Sequence, residues 1–175
     1  SSENEGYVDT VFLGAYRRSV FDRIGPWDPS FVTNEDAELN QRLVASGGRI
    51  YLSREIVVHY TPRGSLPALA RQYFRYGQGR ARTLRKHGRF LTLRPALPFL
   101  AVCAGLALTA LLPWTNAALY AAAIAAALVI GEAIRAGWQG GIRRVVMVTA
   151  VLPMIVGSHG LGFGAGLVSP ASQRR

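Results

Sequence analysis

Over the first sixty residues, apolar positions come in short blocks separated by turn-forming residues. Val8, Val11, Phe12 and Leu13 predict a buried strand closed by Gly14. In RSVFDRI, residues 18–24, the side chains of Val20, Phe21 and Ile24 share one helical face, and Gly25 followed by Pro26 supplies the stop. Beyond the turn PWDPSF a second helix is predicted from about Glu35 to Ser46. Thr33 or Asn34 caps it, and Glu35, Asp36 and Glu38 crowd its first turn. Leu39, Leu43 and Val44 form its buried stripe, and Gly47-Gly48 ends it. RIYL and IVVHY read as two short strands around a turn at Ser53-Arg54. This order of strand, helix, turn, helix and hairpin is α/β material.

The period changes at residue 66. Leu66, Leu69, Tyr73 and Tyr76 recur at spacings of three and four, while Arg71, Arg75, Arg82, Arg85 and Lys86 fall largely elsewhere. That is a basic amphipathic helix of the kind that lies at a membrane surface, its aromatics at the headgroup boundary and its arginines on anionic lipid. A solvated face against nucleic acid is the alternative; the apolar runs downstream favour the membrane. Three spans are predicted there, from about Arg94 to Leu112, from Ala117 to Ile134 and from Val145 to Val168. Pro113, Trp114, Thr115 and Asn116 make the first turn, with Trp114 suited to an interface. The third span ends in GSHGLGFGAGL, whose glycines suit either close helix packing or a break held by protein, so a full crossing and a re-entrant segment both stay open.

Charge sharpens this division. Residues 1–55 carry nine acids and six bases, residues 56–94 no acid and nine bases, and residues 95–175 one acid and five bases, within a net charge of +10 over 175 residues. Residues 95–131 and 145–173 contain no charged side chain, which argues against a purely soluble chain and against disorder. The single cysteine, Cys103, excludes a disulfide framework and reads as a small packing residue. The arginine excess places residues 1–94 and the 135–144 loop in the cytoplasm. The first methionine is Met147, and residues 1–10 have no features of a signal peptide, so the chain is expected to be a piece of a longer protein.

Three constellations could carry chemistry. In TNEDAEL, residues 33–39, Asp36 stands in the first turn of a helix, where free N–H groups favour the carboxylate, which could accept a proton from an attacking hydroxyl. Alone, the three acids also describe an ordinary helix start, with Glu38 paired to Arg42 at i,i+4. In QYFRY, residues 72–76, Gln72, Arg75 and Tyr76 lie within about one turn and can face one pocket. Arg suits a diphosphate, Gln a hydroxyl and Tyr a flat sugar or base; ordinary interfacial anchors are the plainer reading. In HYTPRGS, His59 and Arg63 could meet phosphate or a metal, although a lone His at a strand end is commonly a surface residue.

The order of these elements resembles membrane-bound family 2 glycosyltransferases. More narrowly, VDTVFLGAYRR, IGPWD, NEDAELNQRL, SGGRIYL, HYTPRGSLPALARQYFRYGQGR and the late HGLGF are similar to succinoglycan-type exopolysaccharide glycosyltransferases. The resemblance covers residues 7–94 well and the membrane part loosely. It implies a GT-A fold and inverting transfer of a sugar from a nucleotide-sugar donor to a saccharide acceptor, expected to be lipid-linked. By the same resemblance Asp36 is the general base, and Gln72, Arg75 and Tyr76 match the QxxRW element beside the donor diphosphate and the acceptor, with Tyr in place of Trp. His59 and Arg63 fall near the diphosphate, and Gly14 and Ala15 on the acceptor side; Glu35, Glu38 and Arg42 support. The family's nucleotide-binding half and its DxD have no counterpart in this sequence. A divalent Mg or Mn ion is therefore expected only in a full-length enzyme, and this chain alone is expected to be inactive.

The resulting division is an acceptor-side part of a GT-A domain at 1–65, a basic interface helix at 66–93, about three membrane helices at 94–168 and a polar tail at 169–175. The expected setting is a bacterial inner membrane crossed several times, with the catalytic part cytoplasmic. Expected partners are donor, acceptor and membrane lipids, and no nucleic acid. The competing reading is a non-catalytic membrane module whose basic helix binds anionic lipid or a partner protein.

Overall fold

A computed structural model describes residues 5–90, 92–137 and 141–169. In chain order its elements are strand β1 (Gly6–Val8), helix α1 (Arg18–Ile24), helix α2 (Glu35–Ala45), strand β2 (Ile50–Leu52), helix α3 (Leu66–His87), a single 3-10 turn (Arg94–Ala96), and helices α4 (Leu97–Leu111), α5 (Ala117–Gly137) and α6 (Gly141–Val168). The strands pair antiparallel, with Gly6 opposite Leu52, Tyr7 opposite Tyr51 and Val8 opposite Ile50.

The strand expectations are corrected by this pairing. The hairpin is not formed between residues 50–52 and 56–60; β2 pairs with β1, and residues 56–60 are exposed and outside any strand. The buried strand expected through Leu13 stops at Val8. Leu13 takes a φ of 53°, and Phe12 and Leu13 are exposed. A ladder cannot continue through a left-handed residue. The segment is held instead by Asn40, fully buried in α2, whose amide donates to Thr10 Oγ1 at 3.0 Å and to the Val11 carbonyl at 2.9 Å.

The helix boundaries follow the sequence closely. Gly25, at φ 78°, ends α1 by donating its N–H to the Phe21 carbonyl, and Gly47, at φ 81°, follows α2. Leu39 and Leu43 are buried beneath α2, and Phe31 joins them. Arg42 binds α1 to α2: its guanidinium meets Glu38 at 2.9 Å and reaches the carbonyls of Ile24, Gly25 and Pro26.

The face that α3 buries consists of small residues, Gly77, Gly79, Ala81 and Thr83, while the larger Leu66 is exposed. That face meets α6 on one side and the start of α2 on the other. A Cβ added at Gly77 would stand 2.0 Å from the His159 carbonyl oxygen, and one at Gly162 would stand 2.0 Å from the Phe74 carbonyl oxygen. Gly160 approaches the Pro98 carbonyl in the same way, at 2.5 Å. On the other side a Cβ at Gly79 would lie 2.6 Å from Asn34 Nδ2. The late glycines therefore do not break α6, which continues through Pro153 to Val168; they let its second half lie against the backbones of α3 and α4.

Arg85 donates to the carbonyls of Gly166 and Ser169, so the end of α6 lies beside the end of α3. Three successive full crossings would carry Ser169 to the face opposite α3. Arg85 and Lys86 thus have partners within the protein, Lys86 meeting Asp28 at 2.6 Å and Glu38 at 2.8 Å. Among the described residues two helical segments are long and apolar enough to cross a membrane, Arg94–Leu111 and Gly141–Val168. Helix α5 has 21 residues and α6 has 28. Cys103 is exposed on α4, not packed as expected. Residues 138–140, inside the predicted arginine loop, and residues 170–175 of the tail lie outside the described residues.

Candidate functional site

The start of α2 is fixed by an unusual backbone conformation and a side-chain bond across to α3. Asn34, the residue before the helix, has a φ of 63°, and its side chain does not cap α2. Its amide instead donates to the Tyr76 carbonyl of α3 at 2.8 Å, in the space left open by Gly79. The first turn of α2 is thereby joined to the middle of α3. Asp36 is half-buried at this junction, and its Oδ1 accepts the Ala37 N–H at 2.7 Å.

Two neighbours show the reach of the Asp36 charge. Burial pushes the Tyr16 phenol above its ordinary value; Asp36 adds to that shift and a hydrogen bond to Asn40 opposes it. Burial lowers the Arg80 guanidinium, while Asp36 and Asp9 pull it back up. Tyr16 donates to Asn40 Oδ1 at 2.7 Å, so a single buried amide holds both the 10–16 loop and the phenol beside Asp36. Arg80 makes no hydrogen bond or ion pair among the described residues. It lines a cavity of about 260 Å³ with Asp9, Thr10, Ala37, Gln41 and His159, so the residue following Asp36 forms part of the wall.

Glu38 has a separate, fully buried place. Burial opposes its ionisation, but Arg42, Lys86 and His87 outweigh this and hold the carboxyl below its ordinary value. Arg42 lies at 2.9 Å, Lys86 at 2.8 Å and His87 at 2.9 Å. Glu38 therefore ties α2 to the end of α3, and a carboxylate held between the charged Arg42 and Lys86 is unsuited to accept a proton. Glu35 is exposed.

On α3 the structure brings together two of the three residues in QYFRY. Gln72 Nε2 donates to Tyr76 Oη at 2.6 Å and to Tyr60 Oη at 2.9 Å, while Gln72 Oε1 is buried without a partner. Tyr73 stacks edge-on with Tyr76, and burial raises its phenol, with Tyr76 and Tyr60 adding. Arg75 is exposed and outside this cluster. His59 and Arg63 are exposed on the segment before α3, and Ala15 is exposed beside Gly14. At Gly14 a Cβ would meet Val11 Cγ2 at 2.8 Å, so only glycine lets the 10–16 loop turn there without displacing a neighbour. Among the described residues no group of three or more His, Cys, Asp or Glu side chains is placed to hold a metal ion.

Sequence reasoning missed Arg80 and His159. Arg80 is one of nine bases in a continuous basic stretch, and His159 is a lone histidine in an apolar run. The spacing of Gly77 and Arg80, one turn apart on α3, carries the available signal.

Residues 14–134 match the family described as "Glycosyl transferase family group 2". Over 99 residues the chain is 42% identical to the succinoglycan biosynthesis protein ExoA of Rhizobium meliloti (strain 1021). The match covers 56% of this chain and 30% of that protein, so the chain spans under a third of its relative. No solved structure matches.

Proposed function

The chain belongs to glycosyl transferase family group 2, and from that premise we propose that it forms the acceptor-side part and membrane region of an inverting sugar transferase. The observation that carries this reading is Asp36, held half-buried at the α2–α3 junction next to a polar cavity. The full-length enzyme, with a GT-A domain, takes a sugar from a nucleotide-sugar and passes it to a saccharide acceptor in exopolysaccharide synthesis. The acceptor hydroxyl oxygen attacks the anomeric carbon from the face opposite the leaving group. The bond from that carbon to the diphosphate oxygen breaks, and the nucleoside diphosphate leaves with the electron pair. Asp36 accepts the hydroxyl proton as attack proceeds.

Gln72 and Tyr76 present an amide and a phenol to the substrates, and the unpartnered Gln72 Oε1 is free to accept from a sugar hydroxyl. Arg75, exposed one turn away, is free to turn towards the donor diphosphate. A divalent ion, if the full-length enzyme uses one, would neutralise the diphosphate with ligands from outside this chain. The apolar helices hold the domain at a bacterial inner membrane, where a lipid-linked acceptor would be presented. In this reading residues 1–94 are cytoplasmic, and the contact of Arg85 with Ser169 supports the same side for the end of α6. A reporter fused after Arg175 should then read cytoplasmic; a periplasmic reading would remove that part of the topology.

Transfer tests the reading. Full-length protein in native membranes, given radiolabelled nucleotide-sugars, should label a lipid-extractable saccharide. Asp36→Asn should lower the rate about 10²–10⁴-fold while membrane insertion and donor binding persist. Turnover near wild type in that variant would exclude Asp36 as the base. Failure to label from every donor, with lipid or partner binding intact, would favour the non-catalytic module.

A further inference from the structure

The cavity next to Asp36 is built from five parts of the chain. Asp9 and Thr10 come from the loop after β1, Gln41 from α2, Arg80 from α3, and His159 from α6, with Phe90 as an aromatic wall. His159 is brought there by the glycine seam. Its carbonyl occupies the space that a Gly77 Cβ would need, and Gly77 stands one turn from Arg80. The Nδ1 atom of His159 is buried and has no hydrogen-bond partner. Buried polar atoms are rarely left unsatisfied, so this nitrogen points to something that completes it.

The charge in the cavity decides which chemistry fits. Arg80 and Arg94 line it, but Asp9 lines it too and the charge of Asp36, next to the lining Ala37, reaches Arg80. Two carboxylates balance two guanidinium groups, which leaves little net attraction for a diphosphate. A neutral ligand rich in hydroxyls fits better, since a carboxylate, a hydroxyl, an amide, a guanidinium and an imidazole offer both donors and acceptors. A volume of about 260 Å³ gives room for a single sugar ring.

We propose that this cavity seats the terminal sugar of the acceptor and that His159, carried by the last apolar helix, is a positioning residue in it. The inference rests on the sugar-transferase reading for the identity of the bound sugar as acceptor. His159 Nδ1 bonds an acceptor hydroxyl and leaves Asp36 to take the proton of the attacking one. Helix α6 is then part of the acceptor site as well as a membrane segment.

The test uses full-length protein in nanodiscs, labelled with ¹³C and ¹⁵N in its histidine rings. The signal that His159→Gln removes is assigned to His159 directly, and His59→Gln assigns that of His59 in the same way. Octyl β-glucoside or octyl β-galactoside, below micelle formation, should shift the His159 signal saturably and leave that of His59 in place; inorganic diphosphate should not. His159→Ala should raise the acceptor KM about three- to tenfold, the range for one lost neutral hydrogen bond, with the donor KM unchanged. His159→Gln should recover part of the loss, and Leu161→Ala, exposed on the same helix, should match wild type. A shift with diphosphate and none with either glycoside would overturn the assignment, as would equal rises in both KM values. The glycoside shift requires no turnover, so it separates the two claims. If transfer persists in Asp36→Asn while the shift remains, the mechanism fails and the sugar site stands; if transfer depends on Asp36 but neither the shift nor the acceptor KM responds to His159, the sugar site fails alone.

Discussion

Glycines at Gly77 and Gly162 meet backbone at distances that no side chain could share, 2.0 Å from a built Cβ in both cases. At Gly105 in α4 and Gly131 in α5, by contrast, nothing lies within 4 Å. The same residue thus does different work in two regions of one apolar sequence. Helices α2, α3 and α6 form an inner body specified by particular contacts: the glycine seam, the Asn34 bond to Tyr76, and the ion cluster around Glu38. Helix α4 and much of α5 present Leu97, Leu100, Leu106, Leu119, Ile124 and Leu128 outward. Those positions need only be apolar. A hydropathy plot treats the two regions alike, whereas their tolerance to substitution should differ sharply.

The largest expected contrast comes from charge. Glu38 is fully buried among Arg42, Lys86 and His87. Glu38→Ala should cost about 3–5 kcal/mol, because three hydrogen bonds to a buried carboxylate are lost, two of them from the charged Arg42 and Lys86. Glu132→Ala, in the exposed pair with Arg135 on α5, should leave the melting temperature unchanged. The Glu38 effect should also depend on pH. Its folded pKa is depressed below the ordinary 4.5, so its stabilisation is present above that value and is lost as pH falls through the folded value. Thermal melts from pH 7 downward should therefore converge for wild type and Glu38→Gln in acid; parallel curves would show that Glu38 is not ionised in the native state.

Glycine substitutions give the next contrast, and it is one of sign. In an open helical position Gly→Ala stabilises by up to about 1 kcal/mol, which is the expectation for Gly105→Ala. Gly77→Ala and Gly162→Ala should each cost about 1–3 kcal/mol or more, since a methyl group would have to displace backbone. Thermal melts in nanodiscs compare the two sets. Equal stabilisation by all of them would mean that α3 and α6 do not approach as described.

The smallest effect concerns the basic helix. Arg71 and Arg89 are exposed, and replacing each with Gln should weaken association with anionic vesicles by about 1 kcal/mol per charge, an effect that salt should mask. Arg85→Gln should act mainly on stability instead, through its lost bonds to Gly166 and Ser169.

Much of this inner body was legible in the sequence, and its gaps have a common cause. Capping acids, glycine stops and the i,i+4 pair of Glu38 with Arg42 are local signals, and they placed α1, α2 and α3 to within a few residues. What was missed depends on tertiary contact. Large side chains such as Leu66 and Tyr73 defined the apolar face of α3, which was expected at a membrane surface; the face buried within the protein is instead Gly77, Gly79, Ala81 and Thr83, because close helix approach selects for smallness and small residues carry little weight in apolar patterning. The strand expected at IVVHY had the right composition but no partner to pair with; β1 pairs with β2. In the candidate site, Asp36 was singled out by its place at a helix start, and its role came only from the resemblance. Arg80 and His159 became visible only once α3 and α6 were side by side.

A stop codon in place of His159, in the full-length protein, tests the central claim that the end of α6 belongs to the working body and not merely to its anchor. The shortened protein keeps Arg94–Leu111 and most of α6, enough apolar helix to remain in the membrane. It loses the seam on α3 and one wall of the cavity. The predicted result is protein that still fractionates with membranes but transfers no sugar from donor to acceptor. Transfer at the wild-type rate by that shortened protein would contradict the account.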